Sequence, residues 1–154
     1  MLRAALLWLS AAASACACDC ATLPLNQART LADVIFRGVI VRLRPAAGPP
    51  SVSYGEDTGK IAVFRVSRVW KGELGATFEM PVILETSACW GFAPDLPKPG
   101  NDLLVFAYRR PGEREGTFLF LTSICTRTAL ARNNRDLDAL GAGYAPVWPP
   151  RTQR

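Results

Sequence analysis

Histidine is absent from all 154 residues of the sequence. Its absence removes Ser-His-Asp and Cys-His nucleophile pairs, the His-Glu-x-x-His zinc site and any imidazole general base. Chemistry would be left to carboxylates, lysines or thiols. Glu56, Asp57, Glu73, Glu85 and Asp95 are scattered and form no recognisable pair for glycoside chemistry. The expectation is a protein that is not an enzyme and needs no cofactor. Long hydrophobic runs are also missing. The apolar stretch from Ala4 to Ala12 falls short of the roughly 20 residues that a helix needs to span a bilayer, so no membrane span is expected. Paired C-x₂-C thiolate motifs, the usual mark of a structural zinc site, do not occur. Acidic residues number 13 against 18 Lys and Arg, a formal net charge of +5. That charge suits solubility and weak steering but is small for nucleic-acid binding, and none is expected.

What the sequence does contain begins with its first residues. Met1-Leu2-Arg3 is a short basic start, Ala4 to Ala12 an apolar middle, and Ala13-Ser14-Ala15-Cys16-Ala17 a run of small residues. This is the layout of a secretory signal peptide, which predicts residues 1–17 to be cleaved and the protein to be secreted or periplasmic. Two A-x-A sites overlap. Cleavage after Ala15 leaves all five cysteines, whereas cleavage after Ala17 leaves four and starts the mature chain at Cys18. Parity favours the second. A lipid anchor on Cys16 fits less well, because Ala13 stands where Leu is usual. Loss of Arg3 lowers the formal charge by one, from +5 to +4.

Beyond the leader the pattern is mostly β. Leu25 to Ala32 has room for two helical turns. Asp33 to Leu43 is rich in β-branched residues and reads as a long strand with a bulge or bend at Gly38. Pro45 to Gly59 is a loop. Lys60 to Trp70 and Thr77 to Thr86 are further strands, the latter with Phe78, Met80, Val82 and Leu84 at period two. After a proline-rich loop, Asp102 to Tyr108 reads as a strand buried on both faces, and Thr117 to Ile124 as a fifth strand. Thr128 to Leu140 predicts a helix stopped by Gly141. The remainder, 142–154, is proline-rich and expected to be a flexible tail. Mainly β, with five strands, a short N-terminal helix and a C-terminal helix, this plan fits an OB-fold barrel. An immunoglobulin-like sandwich needs about seven strands and no terminal helix. Trp70-Lys71 and Trp90 would suit base stacking, but Trp70 at a strand end reads better as packing at the barrel rim. Arg127 reads as an ion-pairing or helix-start residue, and Asp33 as an acceptor for backbone N–H groups.

The mature cysteines would be Cys18, Cys20, Cys89 and Cys125. Cys18 and Cys20 are poorly spaced to bond each other. The two pairings that remain both tie the N-terminal segment to distant parts of the chain. Each bridge would close a loop of roughly 70 to 105 residues, worth on the order of 4 kcal/mol in the chain-entropy picture. A disulfide-stapled exported domain is the plain reading.

Cys18-Asp19-Cys20 followed by Ala32-Asp33-Val34-Ile35-Phe36-Arg37-Gly38-Val39-Ile40 resembles the start of a netrin-like domain. More closely, it resembles the bacterial relatives of the tissue inhibitors of metalloproteinases (TIMPs). Val66-Ser67-Arg68-Val69-Trp70-Lys71-Gly72, Leu103 to Ala107, Cys125-Thr126-Arg127-Thr128 and the Leu137…Leu140-Gly141 close match further parts in the same order. The resemblance covers residues 18–141, taken as one domain. It implies an OB-fold with disulfides Cys18–Cys89 and Cys20–Cys125. It also implies that the α-amine and carbonyl of Cys18 chelate the zinc of a metalloprotease while Asp19 points into the protease's S1′ pocket. The expected partner is a zinc metalloprotease or another extracellular protein, met by a monomer. A binding or structural module with no inhibitory activity is the alternative.

Overall fold

The computed structural model describes residues 20–21, 23–47, 57–84, 89–112 and 118–147. A short helix, α1 (Leu25–Leu31), leads into two long strands, β1 (Val34–Pro45) and β2 (Asp57–Lys71). Then come β3 (Thr77–Ile83), β4 (Asp102–Pro111), β5 (Phe118–Leu121), the two-residue β6 (Ala129–Leu130) and helix α2 (Arg135–Leu140). The sheet is antiparallel in the order β3-β2-β1-β4-β5, with β6 added to β4.

The centre of the sheet is β1, because it pairs with β2 along its length and with β4 over Val34 to Val39. Register shifts in the β1–β2 ladder fall between Ile35 and Phe36, between Arg37 and Gly38, and between Ile40 and Arg42. Each shift adds bend and twist, so the sheet coils. Gly38 is the bend expected from the sequence. A Cβ there would lie 3.0 Å from the Arg65 carbonyl oxygen and 3.4 Å from the Phe36 ring, so a larger residue would push the strands apart.

Coiling gives the sheet two buried faces of different kinds. The concave face packs Phe36, Ile40, Phe64, Val69, Phe78, Met80, Leu103 and Val105 into the main core. Four phenylalanines cross it in an edge-to-face chain: Phe36 meets Phe64 and Phe78 at 5.3 and 5.2 Å, and Phe78 meets Phe120 at 5.2 Å. Such pairs add about 0.5–1.5 kcal/mol each beyond area burial. On the convex face, Ile35, Leu104 and Phe106 pack under Ala28, Ala32 and Leu140 at the two helices. Leu103 to Ala107 is therefore buried without interruption, as the run of apolar residues predicts.

Four features differ from the sequence reading. First, the expected closed barrel is an open coiled sheet among the described residues. Strands β3 and β5 approach, as the Phe78–Phe120 contact shows, but share no ladder. Second, the fifth strand, expected to run to Ile124, ends at Leu121, because Thr122 to Thr128 folds into a hydroxyl-bonded turn. Third, the helix expected over Thr128 to Leu140 begins only at Arg135. The Thr128 Oγ1 accepts from the Phe106 N–H at 2.9 Å, and Ala129–Leu130 pairs with Leu103 and Leu104 at an edge of β4 that β5 leaves open. Asn133 then turns with φ 57° and Asn134 caps α2, its Oδ1 accepting from the Asp136 N–H at 2.9 Å. Fourth, the expected flexible tail is anchored as far as Val147. Tyr144 and Val69 exchange backbone hydrogen bonds of 2.8 and 2.9 Å, the Val147 N–H reaches the Leu74 carbonyl at 2.9 Å, and the Tyr144 hydroxyl donates to the Gly72 carbonyl at 2.6 Å.

Candidate functional site

Cys20 and Cys125 form a disulfide with Cα atoms 5.0 Å apart, across 105 residues of sequence. The bridge brings the N-terminal segment against the turn after β5. Cys89 is also disulfide-bonded; Cys18 and Asp19, the expected chelator and pocket residue, lie outside the described residues.

Arg127 completes the clamp. Its Nε and one terminal nitrogen bind the two carboxylate oxygens of Asp136 at 2.5 and 2.6 Å, and the other terminal nitrogen donates to the Leu23 carbonyl at 2.8 Å. The forked guanidinium thus joins three parts of the chain at once: the N-terminal segment, the turn after β5 and the first turn of α2. Asp136 suits that place because a carboxylate in a first helical turn faces free N–H groups. Its hydrogen bonds hold the Arg127 guanidinium above its ordinary range. The pair is only partly exposed, 26% and 11% for the two side chains, so water screens it less than a surface pair.

The turn beneath is built from hydroxyls. Thr122, Thr126 and Thr128 bond one another through Oγ1 at 2.7–3.2 Å, and Thr122 donates to the Phe106 carbonyl at 3.0 Å. Ser123 ties the two cysteine segments together, its Oγ donating to the Cys89 carbonyl at 2.6 Å and accepting from the Cys125 N–H at 3.1 Å. Cys89 itself has φ 62°, a region rarely used by residues other than glycine. Gly91, two residues on, has φ 106° and a Cβ position only 2.4 Å from the Ile83 carbonyl oxygen, so the backbone passes where no side chain fits. Positive φ at both residues lets the 89–92 segment double back to pair Trp90 with Ser123 and Phe92 with Leu84. Between the N-terminal segment and this turn lies a shallow depression of about 360 Å³, lined by Cys20, Leu23, Cys125, Arg127, Thr128 and Asp136 among others.

The remaining candidates fall elsewhere. Trp70 packs at the helix layer with its Nε1 donating to the Gly141 carbonyl at 2.8 Å. Trp90 stands at β4, edge-on to Tyr108 at 6.1 Å and under the Arg110 guanidinium at 4.4 Å. Among the described residues the two tryptophans make no ring contact with each other. Asp33 accepts from the Arg109 N–H at 2.7 Å, as expected. Asp95 pairs with Lys98 at 2.7 Å. Among the described residues no three His, Cys, Asp or Glu side chains converge as metal ligands, and no helix is long and apolar enough to cross a membrane.

Sequence reasoning singled out Cys20, Cys125 and Arg127 but missed Thr122, Ser123 and Asp136. The run Thr122-Ser123-Ile124-Cys125-Thr126-Arg127-Thr128 is dense in short hydroxyl residues, which compete with strand pairing by bonding nearby backbone. That was the available signal. No protein-family model matches the chain, and no curated protein matches it.

Proposed function

We propose that the chain is an exported, non-enzymatic TIMP-like domain whose processed N-terminus at Cys18 chelates the catalytic zinc of a metalloprotease. The observation that carries this reading is the clamp on Cys20 and Leu23, where Cys20 is bonded to Cys125 and the Leu23 carbonyl is held by Arg127. A terminus anchored two residues from its first atom loses little conformational freedom on binding, which is the value of preorganisation. An α-amine has a pKa near 8, low enough to shed its proton on a Lewis-acidic metal at neutral pH. The Cys18 carbonyl oxygen would be the second ligand, and together they would displace the water nucleophile. Asp19 would enter the S1′ pocket.

The OB-type barrel belongs to the same proposal. A central β1 shared between β2 and β4, with β3 brought against β5, is the strand order such a barrel requires, and this supports the assignment.

The test is the processed protein assayed against a panel of zinc proteases, with its terminus free and acetylated. Inhibition that acetylation abolishes is expected, together with an intact mass that starts at Cys18. Inhibition that survives acetylation would exclude chelation. No inhibition of any protease would leave the binding module.

A further inference from the structure

The convex face of β1 and β2 beside α2 carries a groove of about 460 Å³, separate from the N-terminal clamp. Among the described residues Arg37, Arg65 and Arg68 line it with one carboxylate, Asp102, and Trp70 and Leu137 form an apolar wall. Arg37 is already committed, its guanidinium forked onto Asp102 at 2.6–3.2 Å. One terminal nitrogen of Arg68 donates to the Ala142 carbonyl at 3.0 Å. Arg65 is exposed, and among the described residues its side chain meets no hydrogen-bond acceptor or carboxylate.

This arrangement is not what stability alone would select. Arg37 and Arg68 face each other directly across the β1–β2 ladder, with Arg65 opposite Val39 two positions along β1. Like charges directly opposite in a sheet are destabilising. Among the described residues Asp102 compensates Arg37 and leaves the charge of Arg65 and Arg68 unbalanced. A polar concavity with excess guanidinium beside an indole and a leucine matches a planar anion joined to an apolar group, since the guanidinium fork fits carboxylate and phosphate oxygens. The volume is within the range of small-molecule sites.

We propose that this groove binds a small organic anion, its phosphate or carboxylate on Arg65 and Arg68 and its apolar part against Trp70 and Leu137.

The experiment titrates the full chain with phenyl phosphate, benzoate and inorganic phosphate at constant ionic strength, followed by calorimetry and by Tm. Saturable binding with a rise in Tm is expected, tighter for phenyl phosphate than for inorganic phosphate. The comparison of phenyl phosphate with benzoate then identifies the preferred head group. Arg65→Gln should weaken binding by about tenfold or more, the range of a charge-assisted hydrogen bond, with no fall in Tm in the absence of anion. Arg135→Gln makes the same change in net charge at an exposed position of α2 and should bind as the parent does. Absence of saturable binding for all three anions would overturn the proposal, as would equal weakening by Arg65→Gln and Arg135→Gln.

Discussion

Arg127 and Glu79 illustrate how far position decides the worth of a charge. Arg127 is held in a part-buried fork and serves three segments, so Arg127→Met would strand the Asp136 carboxylate and leave the Leu23 carbonyl without its donor. A loss of about 2–4 kcal/mol is expected, read by denaturant unfolding, since removing one partner of a buried pair costs more than the pair contributes. Glu79 lies near the surface, paired with Arg44 and with Arg42 nearby, and these cations hold its carboxyl below the usual range. A depressed folded pKa adds stability above the ordinary carboxylate pKa of about 4.3 and loses it as pH falls through the folded value. Glu79→Gln should therefore cost under about 1 kcal/mol at pH 7, exposure being near 40% for both side chains. The difference in Tm from the parent should vanish in acid. At this scale the sequence was informative where one residue type has one use. Arg127 was legible as an ion-pairing residue, whereas its partner was not, because Asp136 resembles any other surface acid of a helix until the fold places it.

At the scale of elements, strands were legible and their ends were not. Period-two alternation in Phe78, Met80 and Val82 and the continuous apolar run of β4 follow from the faces they bury. The C-terminal helix starts at Arg135, about two turns later than the periodicity from Thr128 predicts. Leu130 falls on the same periodic row as Leu137 and Leu140, yet it pairs with Leu103 on the sheet, because an open edge of β4 offers backbone partners that local helical propensity cannot see. Asn133-Asn134 was the local signal for the true start. Asn134→Ala should cost about 1 kcal/mol through loss of the cap, measured as a fall in Tm, while Asn134→Ser should be nearly neutral.

For the whole molecule, the cross-link and the terminal segment bear on stability in different ways. The Cys20–Cys125 bridge closes a loop of 105 residues, so replacing both cysteines by serine should cost about 4–5 kcal/mol in denaturant unfolding. Truncation after Ala142 removes the backbone bonds of Tyr144 and Val147 to Val69 and Leu74, and should lower Tm by a few degrees at this chain size. By itself the sequence determined the mainly β class, the run of strands, the bend at Gly38 and the set of thiols from which the N-terminal segment draws its bridge, while leaving the choice between Cys89 and Cys125 open. These depend on local periodicity, on backbone volume and on which thiols are available. Only the tertiary structure decided that β3 and β5 approach without pairing and that Ser123 links the two cysteine segments. It alone set Arg65 in one groove with two other arginines. Those are contacts between residues far apart in the chain, fixed by how the register shifts coil the sheet, and no local pattern encodes them.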